Sequence, residues 1–128
     1  IELKKEKKVI GGTGLFNFDS NKINAETGSW INRKYWKHGF ITEAKIPVID
    51  FAFDKLKLKK LITATFTDNK ASNAMSKKLG YKFVGKLRKH EKCKATGKIH
   101  DANLYEILKE EWEKIRLKLI KELDPKLK

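Results

Sequence analysis

Hydrophobic and polar positions change period several times along the chain, and each change marks an element. Residues Ile1–Lys5 and Lys8–Phe18 read as two strands around the charged Glu6-Lys7 turn, and Asp19–Asn24 is a polar turn before a third strand, Ala25–Asn32. A basic aromatic loop with one glycine follows. From Thr42 to Lys57 the apolar residues Ala44, Val48, Phe51, Ala52 and Leu56 recur at helical spacing and predict one buried stripe. Thr42 is the expected N-cap, Glu43 suits the positive end of the helix dipole, and Pro47 predicts a late start or a distorted first turn. Leu61–Thr67 alternates, with Ile62, Ala64 and Phe66 on one face and Thr63, Thr65 and Thr67 on the other, as a strand does.

Asp68 or Asn69 caps the next predicted helix, in which Ala71, Met75 and Leu79 share a face, and Gly80 ends it. Tyr81–Lys86 and His100–Leu108 read as strands, separated by a basic loop holding His90, Glu91, Cys93 and Gly97. The last helix, Glu110–Leu123, presents Trp112, Ile115, Leu119 and Leu123 on one side. The predicted order is β-β-β-α-β-α-β-β-α, an α/β (α+β) domain with a mixed sheet.

Composition narrows the setting. With 128 residues, one domain with one modest core is expected over 1–128. The formal net charge of +14 comes almost entirely from lysine, the arginines being Arg33, Arg88 and Arg116. Such a surface attracts RNA, DNA or a ribosome without the arginine forks of base-specific readout, and a solvated lysine-rich surface explains it equally well. Cys93 is the single cysteine, so no disulfide framework exists. With no apolar run of membrane-spanning length and no signal-peptide pattern, a cytoplasmic setting is expected, without membrane partners. The chain opens at Ile1 without a methionine and enters a strand at once, so the domain is expected to be N-terminally incomplete.

Candidate chemistry is limited. Gly11, Gly12 and Gly14 lack a following Gly-Lys-Ser/Thr, so they mark a bulge or a close neighbouring backbone and not a phosphate loop. His90, Cys93 and His100 match no zinc spacing, and no metal site is expected. Arg33, Lys34, Lys37 and His38, just ahead of a helix start, suit a phosphate or pyrophosphate.

Four segments together resemble one family. The strand AETGSWIN, the loop RKYWKHGFITEA, the long segment FAFDKLKLKKLITATFTDNKASNAMSKKLGYKFVGKLRKHE and the ending HDANLYEILKEEW are similar to the GNAT superfamily of N-acetyltransferases, nearest its RimJ/RimL-like branch of ribosomal-protein N-terminal acetyltransferases. The resemblance implies the GNAT fold without its N-terminal strand and first helices. Its central sheet would be mostly antiparallel and flanked by helices. It implies acetyl-CoA as cosubstrate and transfer of the acetyl group to a primary amine by direct attack on the thioester. The acceptor implied is the N-terminal amine of a protein, ribosomal proteins among them. Two alternatives stay open: a small-molecule amine, and a non-catalytic nucleic-acid- or ribosome-binding module. A homodimer is open too.

The resemblance also assigns residues. Trp36, Lys37, His38, Gly39, Phe40, Ile41 and Thr42 would hold the pyrophosphate on backbone amides. Trp30, Ile31 and Asn32 would pair with the pantetheine arm and offer an N–H to the thioester oxygen. Asn69 would contact the cofactor, and Ser72 would protonate the departing thiolate, since Ser76 stands where the family usually has tyrosine. Glu91 and Glu26 are the two candidates for the general base, Glu91 being favoured. Lys37, Ile41 and Pro47 depart from the family's pattern, which implies weakened cofactor binding.

Overall fold

A computed structural model describes residues 1–123 of the chain. The strands β1 (Glu2–Leu3) and β2 (Lys8–Val9) form a small antiparallel ribbon of their own. The second expected strand is therefore divided: its later part is a separate strand, β3 (Gly11–Phe16). Buried Ile10 is the pivot, its N–H donating back to the Ile1 carbonyl. After β4 (Asn24–Ile31) comes a single 3-10 turn, Arg33–Tyr35. Then follow α1 (Phe40–Asp54), β5 (Lys60–Phe66), α2 (Lys70–Lys78), β6 (Lys82–Lys92), β7 (Ile99–Leu108) and α3 (Lys109–Leu123).

Five strands make one mixed sheet in the order β3-β4-β5-β7-β6, in which only β4 and β5 run parallel. The GNAT fold class expected from the sequence has this mixed, mostly antiparallel sheet. Ala25, Leu61, Tyr105 and Ile107 of the sheet share a buried cluster with Ile49 and Phe53 of α1, Leu79 beyond α2, and Trp112 and Leu119 of α3. The three helices thus cover one sheet face. Asp50 ties α1 to α3: its carboxylate accepts from Trp112 Nε1 at 2.8 Å and from Arg116 Nε at 2.8 and 2.9 Å. That pairing raises the Arg116 pKa further.

Several local expectations need correction. α1 begins at Phe40, not Thr42, and its N-cap is Gly39 at φ +76°, a backbone that an L side chain adopts only with strain. Thr42 is inside the first turn and buried. Pro47 neither delays the helix nor ends it; it sits on the exposed side, as does Glu43, whose carbonyl loses its helical donor where water can replace it. The buried stripe is Thr42, Lys45, Ile46, Ile49, Ala52 and Phe53, so Phe51 and Leu56 lie outward. In α2 the buried residues are Asn73 and Ser76, not Ala71. Finally, β6 runs through His90 and Glu91, which pair or lie beside β7 across register shifts, so the expected loop is shorter.

Gly80, at φ +91°, does follow the end of α2, and an added Cβ would meet Ile115 at 2.9 Å. Gly11 likewise allows a close approach: a Cβ there would lie 2.3 Å from the Trp30 carbonyl oxygen.

Candidate active site

β4 and β5 pair over only three residues each, Asn24–Glu26 with Lys60–Ile62, and then part. Beyond the parting, Thr63 Oγ1 donates to the Thr27 carbonyl at 3.1 Å, a side chain standing where a ladder bond would be. Tyr81 OH and Thr27 Oγ1 share a bond of 2.9 Å, and burial pushes the Tyr81 pKa up to about 12. The parting opens a cleft of about 600 Å³ between the two strands. Its lining includes Glu26, Ser29, Lys45, Ser72, Ser76 and Glu91.

Because strand side chains alternate, the cleft has two sides. Thr27, Thr63 and Thr65 are buried on the helix-covered face, together with Lys45 from α1 and Ser76 from α2. Glu26 falls on the opposite face, where its Oε2 accepts from Asn17 Nδ2 at 3.0 Å. β6 contributes exposed His90 and Glu91. Glu26, Glu91 and Ser72, three residues far apart in the chain, therefore line one cavity. Ser72 Oγ is 3.4 Å from Thr65 Oγ1 on the helix side.

Antiparallel strands turn backbone groups alternately toward one neighbour and the other. The Asn32 N–H donates to the Ile10 carbonyl at 2.7 Å, and the Gly28 carbonyl accepts from Thr13 Oγ1 at 3.2 Å. Residues 28, 30 and 32 thus face β3, while 27, 29 and 31 face the cleft. Of the three residues expected to meet the pantetheine arm, only Ile31 turns its N–H that way. The backbones of Trp30 and Asn32 are taken by β3, and Asn32 Oδ1 accepts from the Lys34 N–H at 3.0 Å. Sequence reasoning missed Ser29, although alternation along AETGSWIN was the available signal.

The loop 36–42 lies at the N-terminus of α1 and contributes nothing to the lining of the cleft. Gly39 makes no side-chain cap, so the N–H groups of Phe40, Ile41 and Thr42 lack helical acceptors and point out of the helix end. Lys37 has φ +64°, His38 stacks on Phe40 at 5.5 Å, and Trp36 Nε1 donates to the Ile31 carbonyl at 3.0 Å. The last bond fastens the loop to the end of β4. Arg33 lies over the Trp36 ring. These cations and unpaired amides can hold an anion.

The Asn69 side chain accepts from the Ser72 N–H at 3.1 Å and caps α2. Asn73 holds the same corner from inside: Nδ2 donates to the carbonyls of Phe66 and Asn69, and Oδ1 accepts from Asn103 Nδ2 and Tyr105 OH. All four of these side-chain hydrogen bonds hold the corner that presents Ser72. Among the described residues, no three His, Cys, Asp or Glu side chains gather as a metal site, and no helix is long and apolar enough to cross a membrane.

A sheet whose two parallel strands part beside a helix N-terminus defines a class, and comparison with known proteins agrees with it. The pattern of the Acetyltransferase (GNAT) domain family matches residues 1–82. The chain belongs to the GNAT acetyltransferase family. It is 33% identical over 109 residues to the uncharacterized N-acetyltransferase YoaA of Bacillus subtilis (strain 168), covering 85% of this chain and 60% of YoaA. It is also 33% identical over 105 residues to YdaF of the same strain, provisionally named a ribosomal N-acetyltransferase, covering 82% of this chain and 56% of YdaF. A GCN5-related N-acetyltransferase from Brucella melitensis shares the fold, with a TM-score of 0.87 at 23% identity over 98% of this chain and 56% of that one. The chain thus spans somewhat over half the length of the relatives it matches.

Proposed function

We propose that the protein transfers an acetyl group from acetyl-CoA to a primary amine, the N-terminal amine of a protein and in particular of a ribosomal protein. The observation that carries this reading is the cleft at the parting of β4 and β5. It has carboxylates, Glu26 and Glu91, on lining strands, and hydroxyls, Ser72 and Ser76, on the helix at its other side. The residues present fit acetyl-CoA. The amides of Phe40, Ile41 and Thr42, the Lys37 ammonium and the His38 ring N–H suit its pyrophosphate. The edge of β4 turned toward the cleft, at Ser29 and the Ile31 N–H, suits its amide-bearing arm, as an added strand would.

In this arrangement the acceptor amine enters beside Glu26 and Glu91, and Glu91 takes its proton, directly or through water. The amine attacks the thioester carbon, a β4 N–H stabilises the charge on the carbonyl oxygen, and Ser72 protonates the thiolate that leaves. A protein acceptor is favoured over a polyamine, because a polycation would need more carboxylates than Glu26 and Glu91. The formal charge of +14 supports work beside a polyanion such as a ribosome in the cytoplasm. The name of YdaF points the same way.

Titration calorimetry with acetyl-CoA tests the cosubstrate: heat of binding is expected, and none at millimolar ligand overturns the reading. Acetylation of peptides beginning Ser, Ala or Met, compared with spermidine, tests the acceptor. Glu91→Gln is expected to lower turnover at neutral pH by about 10²–10⁴-fold with binding intact, the usual contribution of a general base. Unchanged turnover moves the role to Glu26.

A further inference from the structure

One group in the cleft has no part in the reaction just described. Lys45, on the sheet-facing side of α1, is 4% exposed and lines the cleft from the helix side. Every other described lysine is exposed or half-exposed. Its Nζ has a single hydrogen bond, to Ser29 Oγ at 3.5 Å, the outer limit for such a contact. Among the described residues no carboxylate pairs with it. The titratable groups sharing the cleft are Glu26 on β4 and His90 and Glu91 on β6. A buried ammonium without a counter-ion is costly, and the amine relieves that cost by losing its proton. Burial accordingly lowers the Lys45 pKa to about 8.

We propose that Lys45 is itself an acyl acceptor: with a thioester in the cleft, its amine takes the acyl group and becomes Nε-acetyl-lysine. The inference rests on acetyl-CoA occupying the cleft. Ser29, the partner of Lys45, is also the residue whose backbone faces the parted edge, so the amine lies beside the path assigned to the thioester arm. The step balances without an outside reactant. The neutral Nζ attacks the carbonyl carbon, the C–N bond forms, the C–S bond breaks with its electron pair going to sulfur, and the proton shed by nitrogen ends on the thiolate as CoA thiol. An exposed lysine at pH 8 is almost wholly protonated and cannot compete on equal terms. The acetylated side chain would remain in the cleft, neutral and longer by two carbons.

The experiment is incubation of the full chain with equimolar acetyl-CoA at pH 8, read by intact mass and peptide mapping, with calorimetry in parallel. One acetyl group is expected on Lys45, appearing roughly tenfold or more faster than on exposed lysines. Urea-unfolded chain should lose that preference. Lys45→Met, and Lys45→Arg as the variant that keeps the charge, should both lose the fast acetylation while remaining folded by circular dichroism. Binding of acetyl-CoA with Lys45 unmodified, or modified no faster than surface lysines, overturns the proposal and leaves the cosubstrate reading standing. Absence of binding overturns the cosubstrate reading, and this proposal with it.

Discussion

The two halves of the β4–β5 pair are built from the same kinds of strand and end up as different materials. In the paired half, Ala25 and Leu61 are wholly buried against Ile49 and Phe53, and the backbones bond directly. In the parted half, the positions facing the helices are Thr27, Ser29, Thr63 and Thr65, with Lys45, Ser72 and Ser76 opposite. Helix cover is common to both. What differs is whether the layer between helix and sheet is hydrocarbon or hydroxyl. A hydrocarbon layer gains by excluding water and closing up, whereas hydroxyls satisfied by side-chain bonds leave room between the strands at small cost. The fold thus spreads stability and chemistry along one strand pair, a few residues apart.

The largest expected stability effect tests the paired half. Leu61→Ala removes a fully buried side chain among Ile49, Phe53 and Trp112, and should cost about 2–5 kcal/mol in urea unfolding. A cost below about 1 kcal/mol would mean that the paired half is no more a core than the parted one.

Next comes Lys45, where the parted half bears a penalty. The folded pKa, lowered to about 8, lies below the ordinary value near 10.5, so the folded state favours the neutral amine. The unfolded chain therefore binds more protons between those values, and stability rises as pH rises through that window. Below about pH 8 the whole penalty is present. Lys45→Met should accordingly stabilise the fold by about 1–3 kcal/mol at pH 7, less as pH approaches 10. A gain that does not change with pH would show that the methionine packs better for reasons unrelated to charge.

The same contrast decides what could be read from the residues. Local signals were sufficient where they are self-contained: Asn69 as cap, Gly80 as stop, and the apolar side of α3 with Trp112 and Leu119. Periodicity found α1 and α2, with Ala52, Met75 and Leu79 in or against the core, but misplaced part of each stripe for one physical reason. Both helices turn polar residues inward, Thr42 and Lys45 in α1, Asn73 and Ser76 in α2, and of these Lys45 and Ser76 line the cleft. The apolar pattern then points elsewhere, to Phe51 and Leu56 or to Ala71, which are exposed. The far end of β6 was missed because Arg88–Lys92 carries no alternation; its pairing comes from backbone bonds to β7. The residues lining the cleft were named largely through family resemblance, which supplied Glu26, Glu91 and Ser72. It could not supply Ser29 or Lys45, which depend on register and on helix phase.

The smallest effect is the most diagnostic of why the strands part. Thr63 Oγ1 holds the Thr27 carbonyl at 3.1 Å, just past the last ladder pair, Glu26 with Ile62. A hydroxyl in that place satisfies the carbonyl across a wider gap than an N–H could bridge. Thr63→Val keeps the shape of the side chain and removes the donor, leaving a buried carbonyl that must find another. If the hydroxyl is a wedge, the substitution should cost only about 0.5–1.5 kcal/mol, the net worth of one hydrogen bond. It should also weaken acetyl-CoA binding, because the carbonyl regains a partner only if β4 moves toward β5. Hydrogen exchange at Thr27–Ile31 would report that movement as slower exchange. Stability lost on the scale of Leu61→Ala with exchange unaltered would place Thr63 in the core, and the parting of the strands would then need a cause farther along β4, at the loop that Trp36 fastens to Ile31.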